Sequence, residues 1–66
     1  MKNTVRVERA KLDITQADLA EKVNVSKQTI LSIEKGKFTP SAILAMKIAR
    51  YFNVKMEDIF ELEPGD

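Results

Sequence analysis

Cysteine and histidine are both absent from the 66-residue sequence. The chain therefore has no disulfide framework and lacks the usual ligands of structural zinc. No stretch approaches the roughly 18 apolar residues of a membrane span, and the first residues lack the apolar block of a secretory signal. We expect a cytoplasmic protein that is stabilised by apolar packing or by association with a partner.

The groups that catalysis requires are also missing from the sequence pattern. There is no nucleophile with a neighbouring base, and there is no set of metal ligands. Glu57 and Asp58 are the nearest approach to a carboxylate pair, but acidic residues at the start of a short helix are ordinarily explained by the helix dipole. We therefore predict that the chain is not an enzyme, and nothing in it points to a cofactor, a metal or a small-molecule ligand.

The length suits one small domain, and we expect a single domain over residues 1–66. The net charge is only +1, but the charge is unevenly distributed. Residues 1–37 carry eight Lys or Arg against five Asp or Glu, a balance of +3, whereas residues 38–66 carry three against five, a balance of −2. The first half of the chain is therefore the expected place for contacts with phosphate.

Two short helices are predicted in the middle of the chain. Thr15 is a suitable N-cap for the first, and Asn24 is expected to end it because asparagine tolerates a left-handed backbone. Ser26 is the N-cap of the second, which ends near Gly36. Since only about three residues separate the two helices, residues 16–35 have the pattern of a helix-turn-helix.

Further helices on both sides complete the predicted fold. Val5, Arg9 and Leu12 form the inward stripe of a first helix, and Pro40-Ser41 begins a fourth. Asn53 is a further stop signal, and residues 54–60 after it fit one or two turns of a fifth helix that requires tertiary contacts. The fold class is thus all-α with five helices. Polar and apolar residues alternate over residues 61–63, a pattern that also permits a short terminal strand. The inward face of the fourth helix is predicted to comprise Leu44, Ala45, Ile48, Ala49 and Phe52.

The pattern Q-x-x-L-A-x-x-x-x-V-S-x-x-T-I-x-x-I-E-x runs from Gln16 to Lys35. It resembles the helix-turn-helix of the lambda-repressor-like family, also called Xre or Cro type, and looks closest in kind to the small stand-alone regulators similar to the cytolysin repressor. The resemblance implies a five-helix lambda-repressor-like domain that binds double-stranded DNA and regulates transcription. Three positions depart from the usual family pattern, namely Glu8, Asn24 and Leu31.

The second helix of the motif presents one distinct outer face when it is wound at about 100° per residue. This face carries the candidate base-reading residues Lys27, Gln28, Leu31 and Ser32, whereas Ile30 and Ile33 turn inward. A major groove admits one helix, in which glutamine can pair with adenine, lysine with guanine, and leucine with a thymine methyl. The alternative is that the polar residues are only solvated and that Leu31 contacts protein.

Four further residues are predicted to contact DNA phosphates. Gln16 stands at a helix N-terminus, where backbone N–H groups attract anions. Lys35 and Lys37, with Thr39 and the neighbouring Gly36, would form a second contact. The family resemblance supports both contacts, which position the protein without reading sequence. The alternative for the two lysines is an ordinary solvated loop.

Two charged residues are directed toward the core. Arg9 lies on the apolar stripe of the first helix, and Glu34 lies near the inward edge of the third, so each requires the other as a partner. In the repressors that this chain resembles, the matching residues form a partly buried salt bridge. Our hypothesis is that Arg9 and Glu34 have a structural role.

The apolar residues near the end of the chain suggest self-association. Proteins of this family commonly pair through this region, and we therefore predict a twofold homodimer with Met56, Phe60 and Leu62 at its interface. Two reading helices would then face half-sites about 34–36 Å apart, which is one turn of DNA. The alternative is that these residues cover the core, which is the expected role of Ile59.

The leading functional hypothesis is a sequence-specific DNA-binding regulator that acts as a repressor on a palindromic operator, because repression requires only occupancy of the DNA. The alternative is a protein-binding module, such as an antitoxin or an adaptor, that uses the same helices. In that case Leu31 and Ile43 would belong to the binding surface.

Overall fold

Five helices and a two-stranded antiparallel sheet make up the chain, and the computed structural model describes all 66 residues. The all-α, five-helix fold is confirmed, together with a short pairing of strands from the two ends of the chain. The elements in order are β1 (Lys2–Asn3), α1 (Val5–Leu12), α2 (Gln16–Lys22), α3 (Lys27–Glu34), α4 (Ala42–Phe52), α5 (Met56–Ile59) and β2 (Phe60–Glu61).

The terminal sheet differs in position from the expected strand. The sequence favours a strand over residues 61–63, whereas β2 begins one residue earlier and ends at Glu61. In the sheet, Lys2 lies opposite Glu61 and Asn3 lies opposite Phe60. Because side chains alternate along a strand, Phe60 is buried and Glu61 is exposed. The two residues of β1 are too few for any periodicity to be visible in the sequence.

Each of the four longer helices is followed by a residue with a left-handed backbone. The sequence predicts helix ends at Asn24, Gly36 and Asn53, and all three are confirmed. A fourth left-handed residue, Asp13, was not predicted. Asparagine and aspartate tolerate this conformation better than other non-glycine residues. The helices can therefore be joined by short turns. The φ angles are 55° at Asp13, 61° at Asn24, 74° at Gly36 and 57° at Asn53.

The first turn of α2 contains a capping box. The Thr15 hydroxyl accepts a hydrogen bond from the Asp18 backbone N–H, and the Asp18 carboxylate accepts one from the Thr15 backbone N–H, both at 3.0 Å. These bonds, chiefly the one donated by the Thr15 backbone, hold the pKa of Asp18 below its ordinary value of 3.8. The shorter Asp side chain thus fills the place where Glu or Gln is usual.

We expect Asp18→Ala to destabilise the protein at pH 7 and to have a smaller effect in acid. A carboxyl group whose pKa is lowered on folding stabilises the fold above its unfolded pKa, and this contribution is lost as the pH falls through the folded pKa. The loss should therefore occur below about pH 3.8. Urea unfolding at pH 7 and at about pH 3 measures the difference. Glu21→Ala removes an exposed carboxylate of the same helix that accepts no hydrogen bond, and it serves as the control. Equal effects of Asp18→Ala at both pH values would contradict the prediction.

The core is one cluster of buried apolar side chains to which all five helices and β2 contribute. The predicted inward face of α4 is confirmed, since all five of its residues are buried. The prediction for Leu12 is wrong, because α1 ends at this residue and its side chain is exposed, whereas Val5 at the other end of the stripe is fully buried. None of the helices has the length and apolar character needed to cross a membrane.

Candidate nucleic-acid interface

A tight turn joins α2 to α3. The backbone N–H of Val25 donates to the carbonyl of Ala20 at 2.9 Å, and the N–H of Asn24 donates to the carbonyl of Glu21 at 3.2 Å. These two bonds around a left-handed residue form a Schellman motif. The half-buried Val25 side chain packs against the core. Only residues 23–26 separate the helices, and the angle between them is therefore fixed by hydrogen bonds and packing.

α2 and α3 pack against each other through apolar side chains. Leu19, Ala20 and Val23 are buried on the α2 side, and Ile30 and Ile33 are buried on the α3 side. The small Ala20 side chain allows close approach of the two helices. This packing covers one face of α3 and leaves the opposite face accessible.

The four predicted base-reading residues lie on this accessible face. Lys27 and Gln28 are exposed at the start of α3, and Leu31 and Ser32 are half-buried one turn later. The hydroxyl of Ser26 caps the helix, so the backbone that carries Lys27 and Gln28 has a fixed start. The arrangement can present two long polar donors and a shorter hydroxyl to a groove.

The loop after α3 carries the second predicted phosphate contact. The side chains of Lys35, Lys37 and Thr39 are all exposed. The backbone N–H groups of Gly36 and Lys37, however, donate to carbonyls in the last turn of α3, each at 2.9 Å. The main chain of these two residues is therefore occupied, and contact with phosphate at this place falls to the side chains.

Arg9 and Glu34 form an ion pair between α1 and the last residue of α3. Arg9 Nε lies 2.9 Å from Glu34 Oε2, and Arg9 Nη2 lies 3.2 Å from Glu34 Oε1. Arg9 Nη1 also donates to the carbonyl of Ile14 at 2.9 Å. The side chains are 18% and 5% exposed, and the hydrogen bonds to Glu34 raise the pKa of Arg9. The pair thus joins α1, α3 and the segment that leads into α2.

Gln16 has a partner that sequence reasoning missed. Its side-chain Nε2 donates to Glu34 Oε1 at 3.1 Å, although the residue is also partly accessible at the start of α2. The pattern of the motif shows a glutamine at one end and a glutamate at the other, but sequence spacing alone does not reveal their contact. The predicted phosphate contact and the predicted ion pair therefore share one network.

An apolar groove lies between α4 and α5. Its volume is about 570 Å³. Two large side chains in it are strongly exposed, with Ile43 at 69% and Met46 at 58%. The sequence signal for this surface is the spacing of three residues between Ile43 and Met46, both outside the inward face of α4. The residues that line the α4–α5 groove are Ile43, Met46, Lys47, Ala49, Arg50, Val54 and Met56.

The structure separates the three residues predicted at a dimer interface. Met56 lines the α4–α5 groove, and Leu62 is exposed after β2. Phe60 is only 9% exposed and belongs to the core of its own chain. The prediction for Phe60 requires correction, because its pairing opposite Asn3 turns the side chain inward and leaves little of it for a partner.

Comparisons of the chain with a protein family and with individual known proteins agree with one another. The family described as Helix-turn-helix matches residues 5–59. The chain is similar to an HTH-type transcriptional regulator of Methanocaldococcus jannaschii, with 57% identity over 66 residues and 100% of both chains covered. It is also similar to the HTH-type transcriptional regulator YgzD of Bacillus subtilis, with 49% identity over 63 residues and 96% of each chain covered. A third similar protein is an HTH-type transcriptional regulator of Archaeoglobus fulgidus, with 52% identity over 60 residues, 91% of this chain and 84% of the other.

Proposed function

The chain belongs to the helix-turn-helix family of DNA-binding transcriptional regulators, and we propose that it is a repressor that binds a palindromic operator as a homodimer. The family is a non-enzymatic class. In this proposal the protein acts in the cytoplasm, where α3 enters the major groove and blocks the operator by occupancy. The observation that carries the proposal is the accessible face of α3, which bears Lys27, Gln28, Leu31 and Ser32 above a fully buried inner face.

Base reading is assigned to the side chains on the outer face of α3. Gln28 can accept and donate at the same time, as adenine requires in the major groove. Lys27 can donate to the acceptors of guanine, and Leu31 can contact a thymine methyl. Ser32 can bond to several bases and adds less discrimination than Gln28.

Positioning on the DNA backbone is assigned to residues at both ends of the motif. Gln16 lies at the start of α2, and Lys35, Lys37 and Thr39 follow α3 with exposed side chains. Their phosphate contacts would fix the register of α3 without reading sequence. The balance of +3 over residues 1–37 favours the same side of the protein for DNA.

Homodimer formation is assigned to the α4–α5 groove, with a second copy of this chain as its occupant. Large apolar patches on soluble proteins mark interaction sites, and Ile43, Met46 and Met56 expose their side chains here. Lys47 and Arg50 line the groove, and the acidic first turn of α5, residues 57–58, begins beside it. In a twofold pair, the basic α4 of one protomer can therefore meet the acidic α5 of the other.

Selection of bound sequences from random double-stranded DNA tests the proposal. We expect one palindrome whose half-site centres are about 34–36 Å apart, or one turn of DNA, because a twofold dimer presents two copies of α3. Affinity should fall steeply with added salt. Equal affinity for all sequences would contradict a specific repressor.

Gln28→Ala and Lys35→Ala are expected to have different effects on the selected operator. Gln28→Ala should cost about 1–3 kcal/mol in binding and relax the preference at one base position. Lys35→Ala should weaken binding to all sequences alike. It should also reduce, by about 1, the slope of the logarithm of the binding constant against the logarithm of salt concentration. Titrations at several salt concentrations, on the operator and on single-base variants, measure both effects. Lys55→Ala, an exposed position before α5, is the control.

Unchanged DNA binding by the Gln28→Ala variant would contradict the assignment of α3 to base reading. It would favour the alternative function as a protein-binding module. In that case Leu31→Asp, rather than Gln28→Ala, should abolish binding to the partner protein.

A further inference from the structure

The Glu34 carboxylate is shared by two donors from different helices. Its Oε1 accepts from Arg9 Nη2 at 3.2 Å and from Gln16 Nε2 at 3.1 Å, while its Oε2 accepts from Arg9 Nε at 2.9 Å. Gln16 is the first residue of α2, and Glu34 is the last residue of α3. The bond between them therefore ties the two outer ends of the helix-turn-helix together.

This bond determines which atom of the Gln16 amide faces the protein. Glu34 is a carboxylate and can only accept hydrogen bonds, so the amide nitrogen must point toward it and the amide oxygen away. The nitrogen carries two hydrogens, and Glu34 accepts a hydrogen bond from one of them. The second N–H remains a donor on a partly accessible side chain, and a phosphate oxygen can bind only to a donor.

Charge neutralisation by Arg9 makes this arrangement compatible with DNA. An uncompensated carboxylate beside a phosphate contact would repel the phosphate. Here two N–H groups of Arg9 bond to Glu34 and offset its charge, and the exposed Lys35 follows directly in the chain. Arg9 also holds the Ile14 carbonyl two residues before Gln16, so the backbone that carries Gln16 is fixed by the same guanidinium.

We infer that Glu34, held by Arg9, is a positioning residue that orients the amide of Gln16 for its contact with a DNA phosphate. This inference rests on the proposed function, in which Gln16 touches the DNA, and it adds a binding role to an ion pair that otherwise has only a structural one. A Gln16 side chain that is already fixed loses less conformational freedom on binding than a free one.

A double-mutant cycle between Gln16 and the ion pair tests the inference. The Arg9→Met/Glu34→Leu variant removes both charges of the pair, so neither is left without a partner, and apolar residues often replace a buried ion pair at little cost in stability. It also removes the bond from Arg9 to the Ile14 carbonyl, which Glu34→Gln leaves in place. Affinity for the selected operator is measured for the wild type, Gln16→Ala, Arg9→Met/Glu34→Leu and the triple variant. Circular dichroism at the binding temperature verifies that each variant is folded.

We expect Gln16→Ala to weaken operator binding about tenfold in the wild-type background and less than about twofold in the Arg9→Met/Glu34→Leu background. Glu34→Gln provides the conservative rescue, since its amide oxygen can still accept from Gln16. In that background Gln16→Ala should again cost several-fold. A role in stability alone would not make the effect of Gln16→Ala depend on residue 34.

Nuclear magnetic resonance of the DNA-free protein gives an independent readout. The two side-chain amide protons of Gln16 should resonate farther apart in the wild type than in the Arg9→Met/Glu34→Leu variant, because only the wild type bonds one of them to a carboxylate. Equal costs of Gln16→Ala in both backgrounds, or unchanged amide resonances, would overturn the inference alone. Failure of the wild type to bind any DNA would overturn the proposed function as well.

Discussion

Arg9→Ala is expected to lower the free energy of unfolding by about 3–5 kcal/mol, the cost of leaving a buried charge without its partner. Glu34 is 5% exposed at its side chain, so water cannot replace the two N–H groups that it loses. The carbonyl of Ile14 loses its donor at the same time. A chain of 66 residues is stabilised by only about 3–10 kcal/mol in total. Arg9→Ala is therefore expected to leave much of the protein unfolded at 37 °C.

The reverse variant, Glu34→Ala, should be destabilising by a smaller amount. It strands Arg9, but the Arg9 side chain is 18% exposed and its long stem allows the guanidinium to reach water. Thermal and urea unfolding of both variants measure the difference. The control is Lys11→Ala, which removes the exposed pair of Lys11 with Glu8 and should cost less than about 0.5 kcal/mol. Unshifted unfolding midpoints in both Arg9→Ala and Glu34→Ala would contradict a structural role for the pair.

The pairing of Arg9 with Glu34 could be predicted from sequence because helical periodicity places each of them on an inward face. A charge in that position requires a partner of opposite sign, and Arg9 and Glu34 are the two charged residues that the helical pattern directs toward the core. The stops at Asn24 and Asn53 were predictable for a similar local reason, since few side chains tolerate a left-handed backbone. Most of the fold could therefore be predicted from local chemistry and helical spacing.

Features that depend on distant contacts could not be predicted in the same way. The bond from Gln16 to Glu34 joins residues 18 positions apart, and it forms only when α2 and α3 have packed. Phe60 turns inward because β2 pairs with β1, and that pairing joins the two ends of the chain. In both cases the tertiary structure, rather than the local pattern, sets the contact. Leu12 is a different case, because its exposure follows from a local feature, the left-handed Asp13 that ends α1 at this point.

Ile43→Asp is expected to convert a dimer into a monomer and to weaken operator binding by about 100-fold or more. Binding of two linked half-sites exceeds binding of one by roughly 10²–10⁴. Ile43 lines the α4–α5 groove and is 69% exposed, so a carboxylate there would replace an apolar contact with the second copy and would have to lose its water when the copies pair. The isolated protomer should tolerate the change, because Ile43 lies in the first turn of α4, where an acidic residue complements the helix dipole.

Val7→Asp is the matched control for this substitution. Val7 is also an exposed apolar residue in the first turn of a helix, but it lies on α1 and does not line the groove. Sedimentation equilibrium should give about twice the chain mass of 7.5 kDa for the wild type and Val7→Asp, and the chain mass itself for Ile43→Asp. A monomeric wild type at high micromolar concentration would contradict the dimer.

Leu62→Asp distinguishes the α4–α5 groove from the tail after β2 as the site of pairing. Leu62 is exposed beyond the last strand, and its substitution should leave the dimer intact if the groove forms the interface. Dissociation by Leu62→Asp but not by Ile43→Asp would place the interface on the tail instead. In either case the monomeric variant should still discriminate single-base changes in one half-site, because Gln28 and the rest of the outer face of α3 are unaltered. Loss of that discrimination together with dimerisation would show that α3 depends on the partner for its position, which contradicts the packing of α3 within its own chain.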